Sequence, residues 1–324
     1  MPILFGLVAA LGLGLLRLAV DDKEESMRFA SVRPEDLGII TDNDLTLIGE
    51  VLGREGSLPN GATMVDLITR YDSLKPSLEK ALTEGHRVNL VPGRLKAPVE
   101  RPSKIWGAAS NYRRGSTELG KGKGRRTAQA YTPEDILEMF FLKPPSSVIG
   151  PGENIVIPRG ADTVFPELEL GIVIGREGKD LSRDQAMEVV FGYTIILDVT
   201  ARGYGSGERL PASRCVRKGF DTFAPLGPWI VTRDEIPDPQ KLQMRLWVNG
   251  ELRQSTSTDA MINGVVDLVS YLSSVSTLVP GDIIATGNPD APAFQKQLVA
   301  GDSLKAEIEG IGELSLGVKR AEEN

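Results

Sequence analysis

Two apolar segments near the middle of the chain carry acidic residues at one end. The first covers residues 165–175 and reads FPELELGIVIG. Side chains alternate between the two faces of an extended strand, so Glu167 and Glu169 share one face with Gly171 and Val173. Because the rest of this face is as apolar as the opposite one, the pattern predicts a strand that is buried on both sides, with two carboxylates at one end.

The second segment, residues 193–198, reads YTIILD and ends at Asp198. Side chains two residues apart on a strand lie roughly 6.5 Å apart, a gap that Glu167 and Glu169 can close around one ion. Three carboxylates that converge away from water repel one another, and their pKa values rise unless a cation lies among them. These residues therefore predict a site for a hard divalent metal at Glu167, Glu169 and Asp198. A solvent-exposed sheet face is the alternative interpretation of Glu-x-Glu.

Shorter patterns predict the remaining elements. Residues 64–71 and 265–272 carry apolar side chains at helical spacing, and Pro76 is expected to begin a further short helix. Asn249 and Gly250 are typical of a hairpin turn. Many short strands at irregular spacing, with few helices, predict an α+β chain that is predominantly β and forms a rolled or barrel-like body.

Turns and composition divide the chain into three parts. Residues 27–102 are expected to form a small mixed N-terminal domain, and residues 103–324 the metal-binding catalytic domain. Residues 1–26 form an apolar N-terminal extension, too short before its first charge to cross a bilayer and without the basic start of a secretory signal. We expect the functional chain to begin near Met27. The alternative is a membrane-touching appendage, and membrane contact is expected only in that case.

Charge and residue counts exclude several classes of function. The 324-residue chain has a formal net charge of -7, which argues against nucleic acid as a partner. A single cysteine, Cys215, excludes an internal disulfide and is typical of a reducing compartment, so we expect a cytoplasmic protein. The single histidine, His86, excludes zinc sites with several histidine ligands. We interpret His86 as a residue of a surface turn.

A basic, glycine-rich stretch covers residues 113–126. The part from Gly115 to Lys121 fits the phosphate-loop spacing, but Gly122 stands where that motif needs a serine or threonine, and no helical pattern follows. We therefore do not expect nucleotide binding. Two interpretations stay open: a mobile lid over an anionic substrate, and a solvated insertion.

From about residue 105 to residue 318, a series of ordered motifs resembles the fumarylacetoacetate hydrolase family. Each motif is short, but their order along the chain makes the resemblance specific. The matching segments are residues 111–112 (NY), 141–148 (FLKPPSSV), 167–169 (ELE), 192–202 (GYTIILDVTAR), 218–229 (KGFDTFAPLGPW), 248–251 (VNGE) and 280–287 (PGDIIATG).

The resemblance implies a β-roll catalytic domain, usually in a homodimer, that acts on a small 2-oxo or 1,3-dicarbonyl carboxylic acid. It implies Mg²⁺ or Mn²⁺, which chelates the oxo acid and stabilises an enolate. Family reactions include C–C bond hydrolysis, decarboxylation, isomerisation and dehydration. The implied roles are metal binding by Glu167, Glu169 and Asp198, catalysis by Glu118 and Lys218, and substrate binding by Tyr112, Arg202, Gly287 and Asn288.

The chain departs from the family pattern at two functional positions. Hydrolytic members carry a histidine four residues after the asparagine of the Asn-Tyr motif, where this chain has Gly115, and Glu118 matches the acid that partners it. Asn288 replaces the threonine whose hydroxyl usually meets the substrate carboxylate. C–C bond hydrolysis is thus the family default, and a decarboxylase, isomerase or dehydratase is the alternative because water activation lacks its usual base. A non-catalytic relative that binds metal and a small acid is a further alternative.

Overall fold

The computed structural model describes residues 27–33, 36–41, 44–113, 132–161, 163–202, 213–289 and 296–322. Its helices are α1 (Gly49–Arg54), α2 (Met64–Glu84), α3 (Pro133–Leu137), α4 (Arg183–Ala186), α5 (Arg214–Lys218) and α6 (Val265–Val275). Its strands are β1 (Arg28–Val32), β2 (Asp36–Thr41), β3 (Asp44–Leu47), β4 (His86–Asn89), β5 (Ile105–Gly107), β6 (Phe141–Lys143), β7 (Val148–Ile149), β8 (Asn154–Ile157), β9 (Thr163–Phe165), β10 (Leu168–Ile174), β11 (Val190–Leu197), β12 (Thr200–Arg202), β13 (Ala224–Thr232), β14 (Gln243–Val248), β15 (Glu251–Ser257), β16 (Ile283–Ala285), β17 (Ser303–Ile308) and β18 (Gly312–Arg320).

The predicted central strand is β10, and every one of its residues is buried. It runs antiparallel to β11, with Leu168 opposite Leu197, and antiparallel to β16 on its other edge. Leu168, Leu170 and the following even-numbered residues belong to one core cluster, whereas Val173 belongs to another. The alternation read from the sequence is therefore confirmed, because the two faces of the strand enter different parts of the core.

Two sheets enclose the larger core cluster. The longer sheet has the order β4-β3-β2-β1-β13-β11-β10-β16-β5-β6, with β7 beside β13. The second sheet has the order β15-β14-β17-β18-β8, and β9 pairs with β12 in a separate ribbon. The predominantly β class predicted from the sequence is confirmed. The N-terminal strands extend the longer sheet through β1 and β13, and the domain boundary at residue 102 stays a prediction.

Helices α2 and α6 agree with the predicted helical segments except at one proline. Helix α6 contains the predicted residues 265–272. Helix α2, however, continues through Pro76 to Glu84, so the prediction of a separate helix beginning there is wrong. A proline inside a helix removes one hydrogen bond at a cost of about 3 kcal/mol. Burial of Leu74 and Leu78 on either side of the proline offsets that cost, because both belong to the core under the helix.

The hairpin turn predicted at Asn249 and Gly250 is present, whereas the turn expected at His86 is not. Asn249 and Gly250 both have positive φ angles, of 53° and 77°, as a two-residue hairpin turn between β14 and β15 requires. His86 is exposed, but it is the first residue of β4 and does not lie in a turn.

Among the residues described, no helix is long and apolar enough to cross a membrane. The extension at residues 1–26 lies outside them.

Candidate metal and substrate site

The three predicted carboxylates converge at the ends of two neighbouring strands. Glu167 precedes β10, Glu169 is its second residue, and Asp198 directly follows β11. The main-chain N–H of Asp198 donates to the carbonyl of Glu167 at 2.8 Å, which joins the two strand ends. One carboxylate oxygen from each residue lies within 4.8 Å of the others. Oxygen ligands at about 2.0–2.6 Å from one ion are up to about 5 Å apart, so this donor set fits a hard divalent cation.

Two lysines surround Asp198. The Lys143 ammonium donates to Asp198 Oδ1 at 2.7 Å and to the carbonyl of Lys218 at 2.6 Å. The Lys218 ammonium donates to Glu167 Oε2 at 2.7 Å and also to Asp198 Oδ2. With all five groups ionised, two ammonium groups against three carboxylates give the cluster a formal net negative charge, which favours a further cation.

Burial strengthens the electrostatic interactions among these charged side chains. The side chain of Lys143 has no exposed surface, and that of Asp198 is 2% exposed. Burial alone would raise the pKa of Asp198, but Lys143 and Lys218 outweigh it and hold the pKa below its ordinary value. Burial, together with the nearby Asp198 carboxylate, raises the pKa of Glu169 well above its ordinary value. The two lysines thus favour the ionised form of Asp198, and positive charge placed beside Glu169 lowers its pKa.

The segment that follows β16 supports Glu169. Glu169 Oε2 accepts a hydrogen bond from the main-chain N–H of Gly287 at 2.7 Å. Gly287 has a φ angle of 87°, and a Cβ atom there would lie 2.8 Å from the carbonyl oxygen of Ala108. The amide of buried Asn111 donates to the carbonyl of Thr286 at 2.9 Å and holds the same segment. A glycine is needed at position 287 because the backbone passes so close to its neighbours.

The structure describes the surroundings of three further predicted substrate residues, Tyr112, Arg202 and Asn288. Tyr112 is buried and donates to Met244 Sδ at 3.5 Å; burial raises its pKa, and the charge of nearby Glu169 adds to the shift. The guanidinium of Arg202 lies 5.3 Å from the centre of the Phe165 ring. Within the described part of the chain, Arg202 Nε and Asn288 Nδ2 are buried donors that no acceptor reaches.

Two further residues that the sequence analysis singled out lie outside the part of the chain that the structure describes. Glu118, expected to act in catalysis, and Gly115, which stands in place of the histidine, lie outside the described residues. Their relation to the carboxylates stays a prediction. The described residues thus bring Lys218 and the three carboxylates together, with Gly287 in contact with one of them.

The sequence predicted no role for Lys143, although this lysine lies in the motif at residues 141–148. The signal was present, since Lys143 follows three apolar residues, Phe140, Phe141 and Leu142, and ends the short strand β6. A lysine among apolar strand residues is buried at high cost unless a carboxylate pairs with it. The partner could not be identified from the sequence, because Asp198 is 55 positions away.

Comparison with known proteins confirms the resemblance read from the motifs. The family model described as fumarylacetoacetate (FAA) hydrolase C-terminal matches residues 104–319. The chain is 35% identical over 295 residues to the maleylpyruvate hydrolase of Aquipseudomonas alcaligenes, covering 90% of this chain and 99% of that protein.

Solved structures give the same result. The structure of a maleylpyruvate hydrolase from a Sphingobium strain, in complex with manganese(II) and pyruvate, has a TM-score of 0.75 and 33% identity, and the match covers 91% of this chain and all of that one. A 5-carboxymethyl-2-hydroxymuconate delta-isomerase from Mycobacterium smegmatis has a TM-score of 0.65 and 31% identity, with coverage of 92% and 99%. With a matching family model over two thirds of its length and full-length relatives among hydrolases and isomerases, this chain belongs to the fumarylacetoacetate hydrolase family of enzymes.

Proposed function

We propose that this protein is a Mg²⁺- or Mn²⁺-dependent enzyme that hydrolyses a C–C bond in an acylpyruvate, a small acid with both 2-oxo and 1,3-dicarbonyl character. The observation that carries the proposal is the buried cluster of Glu167, Glu169 and Asp198, whose oxygens lie close enough for one ion. Similarity to a maleylpyruvate hydrolase over 99% of that protein supports the substrate class.

Glu167, Glu169 and Asp198 would hold the metal. When bound, a divalent ion acts as a Lewis acid on the oxygens of the oxo acid and stabilises the negative charge of an enolate. The protein prepares the site in advance: Gly287 N–H orients the Glu169 carboxylate, and Lys143 orients Asp198. Such hydrogen bonds to ligand side chains fix their geometry and tune the metal.

We propose that the Lys218 ammonium pairs with the negative charge of the substrate. Its side chain is 10% exposed, whereas that of Lys143 is fully enclosed. Its ammonium also lies 5.1 Å from the centre of the Phe141 ring, which leaves few directions open to water. An ammonium in such surroundings stabilises developing negative charge more strongly than it would in water. We assign proton transfer to Glu118 on the sequence resemblance alone.

Arg202 and Asn288 are the residues that we assign to a substrate carboxylate. Each has a buried nitrogen that no acceptor reaches among the residues described. A buried donor without an acceptor costs about 1–3 kcal/mol, so an incoming carboxylate that accepts these hydrogen bonds gains affinity. We assign Tyr112 to the same ligand on the sequence resemblance, through the motif at residues 111–112.

A second candidate is enolate chemistry without water attack, as in a decarboxylase or an isomerase. Gly115 favours it, since glycine has no group that could activate water. Isomerases of 2-hydroxymuconate-type acids are also among the similar structures. A homodimer in the cytoplasm, as expected from the sequence, is part of this proposal for either reaction.

A substrate screen tests the proposed reaction. Purified protein with Mn²⁺ or Mg²⁺ should convert an acylpyruvate such as maleylpyruvate, and EDTA should stop the conversion. Oxaloacetate and a hydroxymuconate-type acid are assayed in parallel, since turnover of these alone would favour the second candidate. Binding of metal and pyruvate without turnover of any of the three acids would instead identify a non-catalytic relative.

Metal removal should also lower thermal stability. Without a divalent ion, two ammonium groups compensate the three carboxylates only in part, and a ligand that binds only the folded state stabilises that state. At a metal concentration of about 100 times the dissociation constant, the expected gain is about 2.7 kcal/mol. Differential scanning calorimetry with EDTA, with Mn²⁺ and with NaCl at matched ionic strength measures the effect. An equal melting temperature in all three would contradict the metal site.

A further inference from the structure

The side chain of Gln254 makes two hydrogen bonds to one residue of the site. Gln254 lies on β15 in the second sheet and has no exposed surface. Its Oε1 accepts a hydrogen bond from the main-chain N–H of Leu168 at 3.0 Å, and its Nε2 donates to the carbonyl of Leu168 at 2.8 Å. Leu168 stands between Glu167 and Glu169, so this amide holds the backbone from which both carboxylates extend.

The position of Leu168 in the sheet explains why a side chain is needed there. On one edge of β10, the carbonyl of Glu167 accepts from Asp198, as the β11 pairing requires. On the other edge, β16 pairs only with residues from Gly171 to Val173, and Thr286 reaches the carbonyl of Leu170. The main chain of Leu168 lies beyond the end of that strand and is buried. The Gln254 amide supplies the donor and the acceptor that a further strand residue would have supplied.

We infer that Gln254 is a positioning residue that sets the geometry and affinity of the metal site; this inference rests on the metal-dependent function proposed above. Its amide carries no charge, so it acts on the ion through the backbone of Leu168 and not through attraction or repulsion. Loss of the two hydrogen bonds frees one backbone segment and shifts Glu167 and Glu169 together. Partners of metal ligands typically contribute 10- to 100-fold in metal affinity.

The test compares two glutamines that bind the main chain in the same way. Gln240 also spans two backbone groups, accepting from Val265 N–H at 2.8 Å and donating to the carbonyl of Thr258 at 3.3 Å, but it does not touch the carboxylates. Titration calorimetry with Mn²⁺ should show roughly 10- to 100-fold weaker binding for Gln254→Met. Gln240→Met should bind Mn²⁺ within about twofold of the wild type. The electron paramagnetic resonance spectrum of bound Mn²⁺ should change only in Gln254→Met.

A second variant keeps the test decisive if Gln254→Met does not fold. Gln254→Asn retains an amide but is one methylene too short to hold both groups of Leu168, so it should weaken Mn²⁺ binding in the same direction. Wild-type affinity and spectrum in a folded Gln254 variant, or an equal loss in Gln240→Met, would overturn the inference. Failure of the wild type itself to bind Mn²⁺ would instead overturn the proposed function.

Discussion

Asp198→Asn should abolish metal-dependent turnover and destabilise the protein more than a change at either glutamate. The aspartate is paired with two buried ammonium groups, those of Lys143 and Lys218. Removal of one partner from a buried ion pair costs about 3–5 kcal/mol, because the remaining charge is left without compensation. Loss of several kcal/mol of charge stabilisation in the transition state also corresponds to a decrease in kcat/KM of at least about 10²-fold.

Asp282→Asn provides the matched control for this prediction. Asp282 is another buried aspartate, and its Oδ2 pairs with the Lys104 ammonium at 2.8 Å. It also accepts main-chain hydrogen bonds from Lys104 and Val279 and does not contact the carboxylate cluster. We expect this variant to lose stability but to keep its Mn²⁺ affinity. Urea unfolding and Mn²⁺ calorimetry on both variants separate the effects. Wild-type Mn²⁺ affinity in Asp198→Asn would show that Asp198 is not a ligand.

Gly115→His should increase C–C bond hydrolysis. Glycine offers no group for proton transfer, whereas a positioned general base contributes roughly 10²- to 10⁴-fold. The histidine would stand three residues before Glu118, as in hydrolytic members that the chain resembles. We therefore expect acylpyruvate hydrolysis to increase by up to about 10²-fold in Gly115→His, while oxaloacetate decarboxylation changes much less.

Gly115→Ala separates the new base from the loss of glycine. Alanine reduces backbone freedom as histidine does but supplies no proton acceptor. Hydrolysis and decarboxylation are measured side by side in the wild type and in both variants, at saturating Mn²⁺. If the wild type already hydrolyses an acylpyruvate efficiently and histidine adds nothing, another residue supplies the base, and the family default stands without position 115.

The carboxylate cluster was predictable because strand geometry is local. Side chains alternate along a strand, so the sequence alone shows that Glu167 and Glu169 share a face. The apolar residues before Asp198 indicated a second buried strand. The contacts that position these residues were not predictable in this way. Gln254 reaches Leu168 across 86 positions and from another sheet, and no local pattern records such a pairing.

The incorrect prediction at Pro76 has the opposite cause. Proline is a local signal for a helix start, and the residues around it satisfied that signal. Tertiary packing of Leu74 and Leu78 against the core kept one continuous helix instead. Local rules therefore succeeded where burial agreed with them, and failed where burial opposed them. The substrate residues fall between these cases, since motif resemblance named Arg202 and Asn288 while the structure adds only their buried, unsatisfied donors.

The pairing of β1 with β13 affects how the protein is made. The first described residue, Met27, donates its main-chain N–H to the hydroxyl of Thr232, which is 205 positions later. On the ribosome, the first strand therefore emerges long before its neighbour exists. At roughly 5–20 residues per second, about 10 to 40 s pass before β13 is synthesised. During that time, one edge of β1 has no strand to pair with, and the sheet that contains the metal ligands cannot be completed until β16, which pairs with β10 and ends at Ala285, has also been translated.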